Sequence, residues 1–238
     1  MSDNPFAAPA TAESPIRLSS DGQYSYRSSK GLLTAVKIGI AIYVLAAIAA
    51  IVINTIGTLS YPNFNEFEAE LTDQNEQFLL LGTAGSAIVN GLGLLVAGIG
   101  TCMFMNRSNK NARALGATDM EFTPGWTVGV WFIPIINLFR PYYAMKEIQM
   151  ASTNPTEDQW KNSEPSGLLS PWWASWLIGR MIERFIDRFE LRFGDLGIGG
   201  LIGRWIAVLM LVAAGVLLLQ ILKEIFESQT SASKKLQN

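Results

Sequence analysis

The sequence predicts an all-α polytopic membrane protein: a helix bundle of four or five transmembrane segments, with one broken or re-entrant helix and one amphipathic interfacial helix. Three observations predict it. Ile38 to Asn65 and Phe78 to Met105 carry no charged residue, and each run exceeds the ~20 apolar residues a helix needs to cross a bilayer. Trp205 to Leu222 is almost as clean. Charged residues make up only 16% of the chain, against about 25% in soluble domains.

Composition removes many chemistries. The chain has no histidine and one cysteine, Cys102. A His/Cys zinc site, a His-ligated haem and a Ser-His-Asp triad are thereby excluded. Cys102 lies inside an apolar run and reads as a small packing residue. The net charge is −2 with no long basic block, which argues against nucleic acid. No metal site or cofactor is implied. The clean runs hold no Asp or Glu, whereas ion-coupled pumps place ionisable groups inside the membrane.

The elements follow in order. Residues 1–29 are rich in Pro, Ser and Ala and read as a disordered tail. Helix 1 is expected over about Gly31 to Thr58. An acidic loop follows, with Glu66, Glu68, Glu70, Asp73 and Glu76. Helix 2 is expected over Phe78 to Met105, with Arg107, Lys110 and Arg113 directly after it. Lys and Arg favour the cytoplasmic side, so the N-terminus is placed there. Small residues Ala87, Gly91, Gly93 and Ala97 predict close helix packing in lipid. Asn54 and Asn90 read as groups that bond a neighbouring helix; their depths differ too much for them to pair.

Phe122 to Phe139 is barely long enough to span. Thr123 and Pro124 read as the cap and first residue of a helix. Pro134 and Pro141 would free the carbonyls of Val130 and Asn137 on one face of that helix. Such a segment either spans with a kink or re-enters. Residues 153–167 form a polar loop. Ser170-Pro171 reads as a helix start, followed by Trp172, Trp173 and Trp176, a cluster typical of the membrane interface. Arg180, Arg184, Arg188 and Arg192 then recur every four residues, interleaved with Glu183, Asp187 and Glu190. This pattern predicts an amphipathic helix in the interface plane, not a voltage sensor. A Gly-rich turn, Gly194 to Gly203, precedes the last helix, and Gly199 and Gly203 form a GxxxG pair. The membrane domain is expected over 30–225, with a polar tail over 226–238.

Arg107 to Trp173 resembles a bacterial membrane family catalogued as domain of unknown function 4328. The resemblance rests on Arg107, Asn111-Ala112, Leu115-Gly116 and Thr123-Pro124-Gly125-Trp126. It continues through Gly129, Trp131-Phe132, Pro134, Asn137-Leu138, Pro141-Tyr142, Glu147-Ile148, Ala151-Ser152 and Trp172-Trp173. It implies a multi-pass protein of the bacterial cytoplasmic membrane and no particular activity.

Three functional readings stay open. The first is a non-enzymatic scaffold or partner-binding module, with the bilayer and either a protein partner or a second copy as its contacts. The second is a transporter or channel with one polar site at the broken helix. That site would be built from Asn137, Arg140, Glu147 and the carbonyls of Val130 and Asn137, with Gly125 and Gly129 allowing close approach. The third is a membrane enzyme using Glu147 or the Glu183/Asp187 pair. The second and third lack a recognised catalytic or transport constellation, so the first ranks highest.

Overall fold

The computed structural model describes residues 24–60, 74–156, 158–194 and 196–236. The expected tail over residues 1–23 and the acidic loop over 61–73 lie outside the described residues. Every described regular element is helical: α1 (Lys30–Ser60), α2 (Gln74–Ala114), α3 (Trp126–Gly129), α4 (Arg140–Thr153), α5 (Leu169–Phe193) and α6 (Gly197–Lys235). Short 3-10 turns at Ile136–Leu138 and Gln159–Asn162 complete the chain. Helices α1, α2 and α6 are long and apolar enough to cross a membrane.

Helices α1 and α2 form an antiparallel hairpin. Its seam is made by glycine. A Cβ on Gly93 would stand 2.5 Å from the Tyr43 backbone N, and one on Gly39 would stand 2.5 Å from the Ala97 backbone N. Ala97 is buried there too. The expected small-residue face is therefore half right. Gly91 meets nothing within 4 Å and Ala87 is exposed. Gly91 is two residues from Gly93, which turns it about 200° to the other side of the helix. Asn90 Nδ2 donates to Tyr43 O at 3.2 Å across the seam, while Asn54 bonds its own helix at Ala50 O.

Helices α5 and α6 form a second antiparallel hairpin, and α6 packs on α1. Here Gly203 faces Ile186, Gly179 faces Leu211, and Gly200 is buried. Gly199 is exposed with open space around it, so only one member of the GxxxG pair packs. Helix α5, expected as an amphipathic helix in the interface plane, runs antiparallel along α6. At 25 residues it is about 37 Å long. Two of its three acidic groups pair with α6, while Glu183 pairs with Arg180 of its own helix. Arg204 Nη1 donates to Asp187 Oδ1 at 3.0 Å, and Arg204 Nη2 donates to Glu190 Oε2 at 2.5 Å.

One end of the bundle holds the start of α1, the end of α2, all of α4 and the end of α6; it is called the basal end here. Both α2 and α6 run further than their apolar stretches, because their extensions are buried there. Ser108, Asn109, Asn111, Ala112 and Ala114 belong to the α2 extension. Gln229 and Ser233 are buried on α6, so residues 226–235 are helix, not a free polar tail. The chain before α1 is also fixed at residues 24–29: Ser29 is buried, and Tyr26 Oη lies 3.4 Å from Thr230 Oγ1. Helix α2 ends at Ala114 and the turn after it passes through Gly116, whose φ of +117° suits glycine. The Ala117 N–H closes the turn on Ala112 O at 3.0 Å.

Candidate functional site

The four long helices form an open row, α2–α1–α6–α5, in which α2 and α5 make no extended contact. The gap between them is a lateral groove of about 870 Å³, within the ~300–1,000 Å³ of small-molecule sites. Its walls are almost wholly apolar. Leu95, Gly98, Cys102 and Arg107 come from α2, Tyr43 from α1, and Leu211, Ala214 and Leu218 from α6. Trp172, Trp176 and Arg180 line it from α5, and Val128, Trp131 and Phe132 cross its basal end.

An aromatic cluster builds that end. The Trp173 and Trp176 rings stack with centroids 4.9 Å apart, and Trp131 meets both edge-on at 5.9 and 6.2 Å. Trp173 Nε1 donates to Leu138 O at 3.0 Å, which ties residues 126–139 to α5. The Trp131 Nε1–H is buried with no protein acceptor among the described residues. A buried indole N–H normally has a partner. Of the two guanidinium groups in the lining, Arg180 pairs with Glu183 at 2.8 Å, whereas Arg107 forms no ion pair among the described residues.

Phe122 to Phe139 is not a spanning helix. Thr123 Oγ1 accepts the Trp126 N–H at 3.3 Å, but the N-cap of α3 is Gly125, two residues later than expected. The helical turn stops at Gly129 because the chain goes into tight turns before Pro134. Pro141 sits in the first turn of α4, where no helical hydrogen bond is lost. The pair of freed carbonyls on one helical face is therefore absent. Ser170 is likewise not the cap of α5, which starts at Leu169. Its hydroxyl lies 3.2 Å from Tyr142 Oη. Phe132, Ile135 and Phe139 are left exposed on the 126–139 segment.

The predicted residues divide among three places and do not meet in one polar site. Arg107, Trp131 and Trp172 line the groove, with Trp173 behind. Trp126 is exposed beside it, and Gly129 closes against the Trp126 ring. Gly125 has open space, so no close approach requires it. Asn137 Nδ2 donates to Trp131 O at 3.2 Å and so holds the local turn.

The second place is a loop anchor. The Glu147 carboxylate accepts the Glu121 N–H and, at 3.0 Å, the Phe122 N–H. Arg140 pairs with Glu121. Burial raises the Glu147 carboxyl above the usual range, partly offset by those two backbone donors and by Arg113.

The third is a buried polar latch at the basal end. Asn111 Oδ1 accepts the Arg27 N–H at 3.1 Å, and Asn111 Nδ2 donates to Arg27 O at 2.9 Å and Gln229 Oε1 at 3.1 Å. Gln229 Nε2 donates to Ser108 O and Ser152 Oγ, both at 2.8 Å. Asn111 is thus a structural residue. Sequence reading missed Gln229, which stands in a segment that reads as polar tail. Its signal is the apolar repeat Ile221, Ile225, Gln229, one residue per turn on one helix face.

The model of a family described as a domain of unknown function (DUF4328) matches residues 72–227. The chain belongs to the DUF4328 family. The match reaches well beyond the motif between Arg107 and Trp173. It takes in α2, α5 and most of α6, and with them most of the groove, while α1 and Gln229 fall outside it. Comparison with curated proteins and with solved structures found no match.

Proposed function

We propose that this DUF4328 protein is a non-enzymatic membrane module that binds a lipid-like molecule in the lateral groove. The observation that supports it most directly is the groove itself: apolar, about 870 Å³, and bordered by side chains exposed to the surrounding lipid such as Leu95, Ile99 and Phe132. An occupant therefore enters sideways from the bilayer. The unmatched Trp131 N–H and Arg107 suit a ligand with a hydrogen-bond acceptor or an anionic group on an otherwise apolar body.

In this reading α1, α2, α5 and α6 are four spans, and residues 126–139 are an interfacial element. The basal end is cytoplasmic, with both termini on that side. The basic residues after α2 support the orientation. The pairing of Arg204 with Asp187 and Glu190, and of Arg180 with Glu183, supports placing a charged α5 at bilayer depth, where ions are retained when paired. The bacterial cytoplasmic membrane is the setting that the family resemblance suggests.

The test is displacement of a fluorescent fatty acid from the purified protein in detergent. Gly98 lines the groove with nothing near its Cβ position, so Gly98→Trp fills the groove without touching the helix seam. Binding should fall about tenfold or more, as when a pocket is blocked at a cost above ~1.4 kcal/mol. Unchanged binding at normal thermal stability would sink the proposal. If the substitution instead releases a co-purifying membrane protein, the groove holds a partner helix, and the scaffold reading takes its place.

A further inference from the structure

We infer that Arg184 and Arg188 form a binding site for an anionic phospholipid headgroup on the outward face of α5, separate from the groove. This rests on the four-span reading above, which puts α5 at bilayer depth.

Charge is unevenly paired along α5. Its three acids are all taken: Glu183 by Arg180, and Asp187 and Glu190 by Arg204 of α6. Arg184, Arg188 and Arg192 remain, all exposed, with no ion pair or side-chain hydrogen bond among the described residues; Arg192 lies over the ring of its neighbour Phe193 at the helix end, which leaves Arg184 and Arg188. They stand one turn apart on the same helix face, so their guanidinium groups are neighbours. A lipid-facing cation with no counter-charge costs at least ~2.5 kcal/mol at mid-bilayer. Arg188 lies five residues before the helix end at Phe193, so about 7 Å below it, and Arg184 about 13 Å below. That range is within reach of the interface for a long side chain that extends toward it.

The rest of the face fits a lipid in one orientation. Toward mid-bilayer, Ile178 and Met181 are exposed on the same side, Phe185 lies between the two arginines, and Leu191 is exposed beyond them. The two guanidiniums therefore stand as a cationic pair within an otherwise apolar face. A phospholipid of the distal leaflet that lays its acyl chains along Ile178 and Met181 brings its phosphate to that pair. Guanidinium is the group best suited to phosphate, through paired N–H donors. The net charge of the patch selects an anionic lipid over a zwitterionic one.

The experiment is native mass spectrometry of the full chain reconstituted in phosphatidylcholine vesicles with or without phosphatidylglycerol. Wild type should retain phosphatidylglycerol in preference to phosphatidylcholine. The Arg184→Gln/Arg188→Gln variant should retain it about 30-fold less, the ratio that two guanidiniums at ~1 kcal/mol each produce. Arg184→Lys/Arg188→Lys should keep most of the preference. No lipid preference in wild type overturns the inference, and that measurement needs no variant to fold. Equal retention by the Gln variant overturns it too, as does a Gln-sensitive dimer that carries no lipid, since the counter-charge then comes from a second copy. A spin label at Met181, in a Cys102→Ser background, keeps the two readings apart. Relaxation by oxygen with lost lipid preference refutes the site alone, whereas relaxation by a water-soluble nickel chelate refutes the spanning α5.

Discussion

The two hairpins of this molecule solve one packing problem with opposite chemistry. Helices α1 and α2 meet through Gly39, Gly93 and Ala97, close enough that a single added Cβ would strike backbone. Helices α5 and α6 meet partly through Gly179 and Gly203, but their distal halves are joined by Arg204 between Asp187 and Glu190. In lipid there is little hydrophobic drive between helices, so close backbone packing and polar pairing are the available attractions. The first hairpin relies on shape and tolerates no volume. The second relies in part on charge and carries ions between its helices.

Substitution separates the two designs, and the largest effect belongs to the glycine seam. Gly93→Val should destabilise by about 3 kcal/mol or more, because the helix backbones must separate. A thermal scan in detergent should show loss of the cooperative transition, whereas an unshifted midpoint would mean that the seam is not close-packed. Next comes the basal latch, which ties both hairpins to residues 24–29. Asn111→Ala should cost about 2–3 kcal/mol by leaving the Arg27 N–H and Gln229 without partners. It should also make the Arg27 region the first site of trypsin cleavage; an unchanged digestion pattern argues that the latch holds nothing in place.

Arg204→Leu tests the charged hairpin. Both carboxylates lose their partner, but the cluster is partly exposed, so the expected loss is about 1–2 kcal/mol. Adding Asp187→Asn and Glu190→Gln should restore most of it. No recovery in the triple variant would show that packing, not charge, joins α5 to α6. The smallest effect concerns Glu147, outside both hairpins. Its carboxyl binds a proton more tightly in the fold than in the unfolded chain. Stability from this group is therefore greatest at low pH, and it declines as pH rises from the ordinary carboxylate value through the raised one. Glu147→Gln should flatten that slope while costing about 1 kcal/mol for one mismatched N–H donor. An identical pH profile in both proteins would refute the shift.

The apolar runs were legible because lipid demands length and absence of charge, and α1, α2 and α6 follow that demand. The interhelical role of Asn90 was legible for a similar reason, as a polar group in an otherwise apolar face. The reading failed where a tertiary partner cancels a local signal. The expected Gly-rich turn over Gly194 to Gly203 is mostly helix, since α6 starts at Gly197, and Arg204, the partner of two acids of α5, stands inside α6 where the sequence shows no sign of that pairing. Gln229 and Ser233 read as tail because the core that buries them is built from α2 and α4. Pro134 and Pro141 read as breaks in one helix, but the turns between them mean that no helix existed there to be broken.

By itself, then, the sequence determined an all-helical chain with three helices apolar enough to cross a membrane, and it carried the motif that assigns the family. Those properties are sums over local windows, of hydropathy, charge and turn chemistry. Only the tertiary structure decided that α5 lies along α6, that Asn111 is a latch, and that an apolar groove opens between α2 and α5. Each of these depends on which distant surfaces meet. A side chain's partner and a cavity's wall are properties of pairs of elements, and no single window of the chain contains both members.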